Sequence, residues 1–280
     1  MSSSSRAHRP TSRSTGRVVG GFRASLLVVE GLWTWYRRNW RASAVSSFVQ
    51  PLLYLLALGW GLGALVDGEG RAARATGGVS YLEYLAPALV VMSAVQNAAG
   101  ESTYPVLSGF KWQKNYWAVV ATPIGPAQLA TGQLLWIVIR LSISGAVYLL
   151  VATLLGAVGG PGVPALLLVA VLTGMALAAP LVAYSASLTS EGQEFNMVSR
   201  FVVVPMTLFA GTFFPVEQLP AVVRPLAWIT PLWHGTELAR GAALGGLELW
   251  PALGHVAYLV LLLAAGVVLA HRRFRIRLAE

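Results

Sequence analysis

Cysteine is absent from the 280 residues, so the chain has no disulfide, thiol nucleophile or zinc–cysteine site. Lysine is nearly absent: Lys111 and Lys114 are the only two. Neither follows a glycine or precedes Ser or Thr, so the phosphate-cradling pattern G-x(4)-G-K-[ST] does not occur. Charge of either sign is scarce, at 11% of residues against 56% hydrophobic, with a mean hydropathy of +0.64. The four histidines, His8, His234, His255 and His271, are scattered, with no His-x(3)-His or His-Glu-x-x-His spacing for a metal.

What the chain does have is long apolar runs, the composition of an integral membrane protein. The net charge of +9 does not imply nucleic-acid binding, because a basic face for DNA has no use for such runs. Eight arginines (Arg6, Arg9, Arg13, Arg17, Arg23, Arg37, Arg38, Arg41) precede the first run, and Arg272, Arg273, Arg275 and Arg277 follow the last. That asymmetry predicts both ends in the cytoplasm and an even number of spans. Residues 1–20 are polar and aperiodic, which predicts a disordered basic tail, not a signal peptide. The few lysines and the Ala, Gly and Val excess are typical of a high-GC genome.

A helical span needs about 20 apolar residues. The candidates are 44–66, 81–102, 133–158, 163–188, a short 198–214 and 249–270, six in all, giving an all-α fold. With that topology fifteen of the twenty basic residues lie inside and four (Arg71, Arg74, Arg224, Arg240) outside, leaving Arg140 within span three. Arg140 has three readings: snorkelling to the headgroups, pairing with Glu101, or gripping a substrate phosphate. Before span one, Phe22, Leu26, Val29, Trp33 and Tyr36 share a helical face opposite Arg23, Glu30 and Arg37. This predicts an amphipathic helix in the inner interface. Gly59 and Gly63 form a GxxxG pair in span one that permits close helix approach.

Two connections stand out. Residues 208–241 (LFAGTFFPVEQLPAVVRPLAWITPLWHGTELARG) are apolar but carry Pro215, Pro220, Pro225 and Pro231, which forbid one straight helix. Two short helices dipping back into the outer leaflet, over 216–223 and 226–233, are the economical reading; an irregular loop is the other. The loop after span two, 105–133, predicts a short helix at about 109–122. Trp112, Tyr116 and Val119 lie on one face and Lys111, Lys114 and Asn115 on another. Too short to stand alone in water, it must rest on the membrane or on a partner. The acidic loop 189–194 reads as a solvated turn or as part of the same partner surface.

Segment 208–241 resembles the signature region of the type-2 ABC exporter permeases, which include nodulation-factor, daunorubicin-type and polysaccharide exporters. Phe213-Phe214-Pro215, Leu219-Pro220, Pro231-Leu232, His234 and Leu238-x-Arg240-Gly241 carry the likeness. Lys111-Trp112-x(3)-Tyr116-Trp117 and Ala121-Thr122-Pro123 look like the nodulation-factor type. The resemblance covers most of 22–277, so 21–277 reads as one transmembrane domain with an elbow helix before span one. It implies that Lys111, Trp112, Lys114, Tyr116 and Trp117 form a coupling helix docked on a cytoplasmic ABC ATPase, a separate chain holding ATP and Mg²⁺, with no cofactor on this one. Phe213, Phe214, Pro215, Pro220, Pro231 and His234 would form an external gate, with His234 read equally well as a structural hydrogen bonder. Together with Pro51 and the GxxxG pair, Tyr54, Gly59 and Gly63 resemble the family's interface with a second permease copy. The implied activity is export of an amphiphile (a drug-like natural product, lipid or glycolipid) across a bacterial inner membrane.

Three other readings remain open. A secondary transporter usually places carboxylates at mid-membrane, whereas Glu83 and Glu101 sit at the ends of span two. An intramembrane enzyme needs convergent polar groups, and Ser142 and Ser144 have no histidine at a suggestive spacing. A purely structural membrane subunit is the third.

Overall fold

The computed structural model describes residues 20–62 and 78–279. Every regular element among the described residues is helical. Helix α1 (Gly21–Tyr54) continues into a π-helical stretch, Leu55–Leu62. Helix α2 (Tyr81–Ser102) opens on a capping box, in which Ser80 Oγ accepts the Glu83 N–H and the Glu83 carboxylate takes the Ser80 N–H. Two short helices follow, α3 (Tyr104–Phe110) and α4 (Asn115–Val120). Next come the long helices α5 (Pro126–Leu154) and α6 (Val163–Ser187), each with proline in its first turn, where the missing N–H has no intrahelical partner to lose.

The chain then runs through α7 (Glu194–Val198), a π turn (Ser199–Val203) and α8 (Val204–Phe209), one continuous helical stretch. A 3₁₀ turn (Val216–Gln218), α9 (Arg224–Trp228), α10 (Pro231–Leu244) and α11 (Leu249–Ala279) complete the fold. Helix α6 is central, packing against α2, α5, α10 and α11, and α1 lies along α5. Leu85, Leu89, Met92, Ile137, Leu141, Tyr148 and Leu166 are fully buried between these helices.

Three of the described helices, α5, α6 and α11, are long and apolar enough to cross a membrane. Helix α2 has the length, but Glu83, Gln96, Asn97 and Glu101 lower its apolarity. Its apolar middle is buried in protein, so it need not match a lipid tail. Leu253, Val260, Leu261, Val268 and Leu269 of α11 are exposed, a surface suited to hydrocarbon.

Several expected elements differ. The separate elbow helix is not seen: α1 runs unbroken because no Pro or Gly lies between Trp33 and Phe48, and its Val28 packs on Gly132 of α5. The span expected at 198–214 begins earlier and ends sooner. The chain is helical from Glu194 to Phe209, with a π turn at Ser199–Val203 just before Pro205, and Gly211, at φ +81°, turns it left-handed beyond that end. The helix expected at 109–122 is two helices set at a corner. The one expected at 226–233 stops at Trp228, and α10 restarts at Pro231 behind a Thr230 cap, then runs on to Leu244. The last helix extends past residue 270 because Phe274 is buried and Arg277 donates to the Ser185 and Ala186 carbonyls at the end of α6.

Candidate functional site

One end of the bundle, the basic end, gathers α3, α4, the loop 188–193 and the last turns of α11. The Tyr116 ring stands edge-on to Phe110 at 4.8 Å and lies 5.7 Å from Phe274, and its hydroxyl meets Gln133 Oε1 at 3.0 Å. Gly109 is required here, because a Cβ would overlap the Tyr116 ring. The Arg277 guanidinium lies 4.2 Å above Phe110 and closes the cluster.

Lys114 makes the corner, at φ 53°, in the left-handed region that a non-glycine residue adopts only under constraint. The corner divides the five expected contact residues. Trp112 (49% exposed), Trp117 (37%) and Lys114 face outward, whereas Tyr116, at 4%, is a packing residue. Lys111 is engaged by the loop beyond α6: its ammonium contacts Glu191 Oε1 at 2.7 Å and donates to the Thr189 carbonyl at 3.0 Å. The other Glu191 oxygen accepts the Trp112 indole N–H at 2.9 Å. These two bonds, chiefly the one from Lys111, hold the Glu191 carboxyl below the usual carboxylate range. Tyr104 stacks on Trp112 and donates to the Gly192 carbonyl at 3.2 Å.

Further along the bundle Arg140 pairs with Glu101 at 2.8 Å and lies 4.5 Å over the Tyr36 ring. Of the three readings of that arginine, the ion pair is the one observed. Asn97 donates to Ser144 at 3.3 Å, so α2 and α5 share a second polar contact.

At the opposite, proline end, the break after α8 is pinned by side chains. Arg240, 9% exposed, donates to the Thr212 carbonyl at 2.9 Å and the Tyr84 carbonyl at 3.4 Å, and stacks 3.8 Å over the Tyr84 ring. The Tyr81 hydroxyl donates to the Phe213 carbonyl at 3.2 Å. Phe213, Phe214 and Pro215 are half-buried, Pro231 is buried as the first residue of α10, and Pro220 is exposed. Thr212 Oγ1 and Thr236 Oγ1 are buried without a hydrogen-bond partner. Nearby, a cavity of about 320 Å³ is lined by Glu237, Arg240, the Gly245-Gly246 turn, Glu248 and His255.

The histidines are less scattered than their spacing indicates. The reversal between α10 and α11 brings His234 Nδ1 within 2.8 Å of His255 Nδ1, with the Trp228 carbonyl 2.9 Å from His234 Nε2. A carbonyl only accepts, so the proton sits on His234 Nε2, and His255 Nδ1–H donates to His234 Nδ1. Tyr258 stacks on His234 at 3.9 Å and Trp233 stands edge-on to both rings. His234 is thus a hydrogen-bonded member of the joint between α9, α10 and α11. Among the described residues no group of three or more His, Cys, Asp or Glu offers a metal site.

Tyr54 and Gly59 lie where α1 gives way to the π-helical stretch, and Gly63 lies outside the described residues. Along a π turn the repeat runs i to i+5, so residues four apart do not align as on an α-helix. Periodicity had no means of finding Tyr81, Tyr84, His255, Tyr258 and Phe274, because each acts through a partner distant in sequence.

The ABC-2 type transporter family model matches residues 25–244, from the start of α1 to the end of α10. The chain belongs to that family. It is 32% identical to Nodulation protein J of Rhizobium leguminosarum bv. trifolii over 217 residues, 75% of this chain and 80% of the relative. Nodulation protein J of Rhizobium meliloti (strain 1021) is 31% identical over 76% of this chain and 82% of its own length. The inner membrane transport permease YadH of Escherichia coli (strain K12) is 23% identical over 70% and 73%. An ABC-2 chain is a membrane transport subunit, and membership implies an ABC ATPase as its partner. The resemblance seen at residues 105–133 and 208–241 therefore marks the family correctly.

Proposed function

We propose that this chain is the permease half of an ATP-driven exporter in a bacterial cytoplasmic membrane. It moves an amphiphile (a drug-like natural product, lipid or glycolipid) outward. ATP and Mg²⁺ belong to a separate ATPase, and a second permease copy, most simply identical, completes the path. The basic end and both termini face the cytoplasm, in keeping with the arginine distribution. Six spans are formed by the second half of α1 with its π extension, α2, α5, α6, the α7–α8 segment and α11. The connection through α9 and α10 dips back as the outer gate.

The observation that carries this reading is the α3–α4 corner. It holds Trp112, Lys114 and Trp117 outward on a support built from Tyr116, Phe110 and Phe274. Exposed tryptophans on a rigid base are the anchors that dominate protein interfaces. Closure of the ATPase pair pushes the corner, and the tight core beneath it passes the push to α2 and α5, which alternately open the path at either end. The gate at 211–234 is suited to this work because short turns replace a continuous helix there, and side-chain hydrogen bonds hold the Thr212 and Phe213 carbonyls at its start.

Co-expression with the ATPase tests the reading. Replacing both Trp112 and Trp117 with alanine is expected to lower ATPase co-purification by about ten-fold or more, with the thermal midpoint of the permease nearly unchanged. Undiminished co-purification would remove the corner as the docking site. Movement of a fluorescent phospholipid by purified permease without any ATPase would remove the ATP-driven assignment.

A further inference from the structure

The loop 188–193 has no role in the docking described above, yet it is bonded to the corner at four points. Lys111 reaches Glu191 and Thr189, Trp112 reaches Glu191, and Tyr104 reaches Gly192. Glu191 is central to this set, with one carboxylate oxygen on the ammonium and the other on the indole. Its side chain is 62% exposed, and an ion pair so open to water adds little to stability. Its effect is geometric. The indole bond and the Tyr104 stack fix the orientation of the Trp112 ring, and the ammonium bond ties the corner to a second stretch of backbone. That stretch leads directly into α7, the π turn and α8, whose far end is the Gly211–Thr212 break held by Arg240.

We propose that Glu191 is a positioning residue that yokes the two loops into one docking face for the ATPase, so that a push on the corner also displaces the 194–209 segment. This rests on the ATPase-coupled reading above and extends it to a second loop. The face it organises is Trp112, Lys114 and Trp117 outward, with Glu191 bonded to the Trp112 indole. It fits a partner groove with an apolar floor and an acidic rim, which would meet Lys114. Without the yoke the ATPase still docks on the tryptophans, but its stroke reaches α2 and α5 alone. The π turn at 199–203 and Pro205 make 194–209 a segment that can shift without breaking a regular helical ladder.

The test uses the full chain co-expressed with its ATPase, in phospholipid nanodiscs. Because the protein has no cysteine, Phe201→Cys and Leu168→Cys, both at exposed positions, accept nitroxide labels at defined sites. The distance between the labels is read without nucleotide and after trapping with ATP, Mg²⁺ and vanadate. With Glu191 intact, trapping is expected to shift the distance distribution. In Glu191→Gln the shift is lost while ATPase co-purification falls by less than about five-fold. Lys111→Glu and Glu191→Lys alone lose the shift, and the two together recover part of it, since the swap keeps the ion pair but neither the indole bond nor the bond to Thr189; a merely structural role for either residue would not give that rescue. A full shift in Glu191→Gln, or no recovery in the double swap, overturns the proposal. Failure of the ATPase to co-purify with the otherwise unaltered labelled chain would instead overturn the docking reading itself.

Discussion

At the basic end a tyrosine and two phenylalanines lock the α3–α4 corner, whereas at the proline end the Arg240 guanidinium and the Tyr81 hydroxyl hold the break after α8. The first arrangement is close packing: Tyr116 is 4% exposed, meets two aromatic rings, and finds a partner for its hydroxyl in Gln133. The second is sparse and polar. Arg240 serves two backbone carbonyls, while Thr212 Oγ1 and Thr236 Oγ1 beside it lack partners. A packed corner transmits force because every displacement meets another side chain. A backbone break held by a few side-chain hydrogen bonds moves by exchanging discrete partners, and the unpartnered hydroxyls nearby are alternative donors. The difference suits a handle at one end and a gate at the other.

The contrast is most severely tested at Arg240. Arg240→Met removes both carbonyl bonds and the contact with Tyr84, leaving buried acceptors unmatched. A loss of about 3 kcal/mol or more is expected, read by thermal unfolding in detergent. Arg240→Lys recovers only part, because one ammonium cannot reproduce a planar fork. A small effect of Arg240→Met would mean that the proline end is packed, not pinned.

Gly109→Ala probes the other end by forcing a methyl into the Tyr116 ring. Overpacking of this kind costs about 1–3 kcal/mol, and reduced ATPase co-purification is expected to accompany it. Tyr116→Phe is milder, losing one buried hydrogen bond for about 1 kcal/mol, visible as a lowered thermal midpoint with docking retained.

The smallest effect is a pH response at the exposed yoke. Glu191 bonds Lys111 and Trp112 as a carboxylate, and its folded pKa is depressed. The contact is therefore complete above the ordinary carboxylate pKa of about 4.3 and is lost as pH falls through the lower folded value. The Trp112 indole N–H resonance, assigned through Trp112→Phe, is expected to hold steady through neutral and mildly acidic pH and to move only below the ordinary carboxylate range. Movement near neutral pH would show that the carboxylate is not the indole's partner.

Much of the frame was legible in the residues. The apolar run expected as a span at 81–102 has the bounds of α2. The prolines at 215–231 told of interrupted backbone, and pairing with Glu101 was among the readings of Arg140. The corner was hidden because its left-handed residue is a lysine, where sequence signals such a turn by Gly or Asn. Helix α10 was hidden because Pro231 looks like a stop when it is a first residue, a difference that only the Thr230 cap decides. The joint of His234 and His255 could not be seen at all, since it depends on how α11 doubles back on α10.

Four helices bear on α6, so neither end can shift without sliding against that central post. A bulkier residue anywhere along its buried faces would jam neighbours on several sides together. Variants that stall transport while leaving both loops untouched should accumulate there.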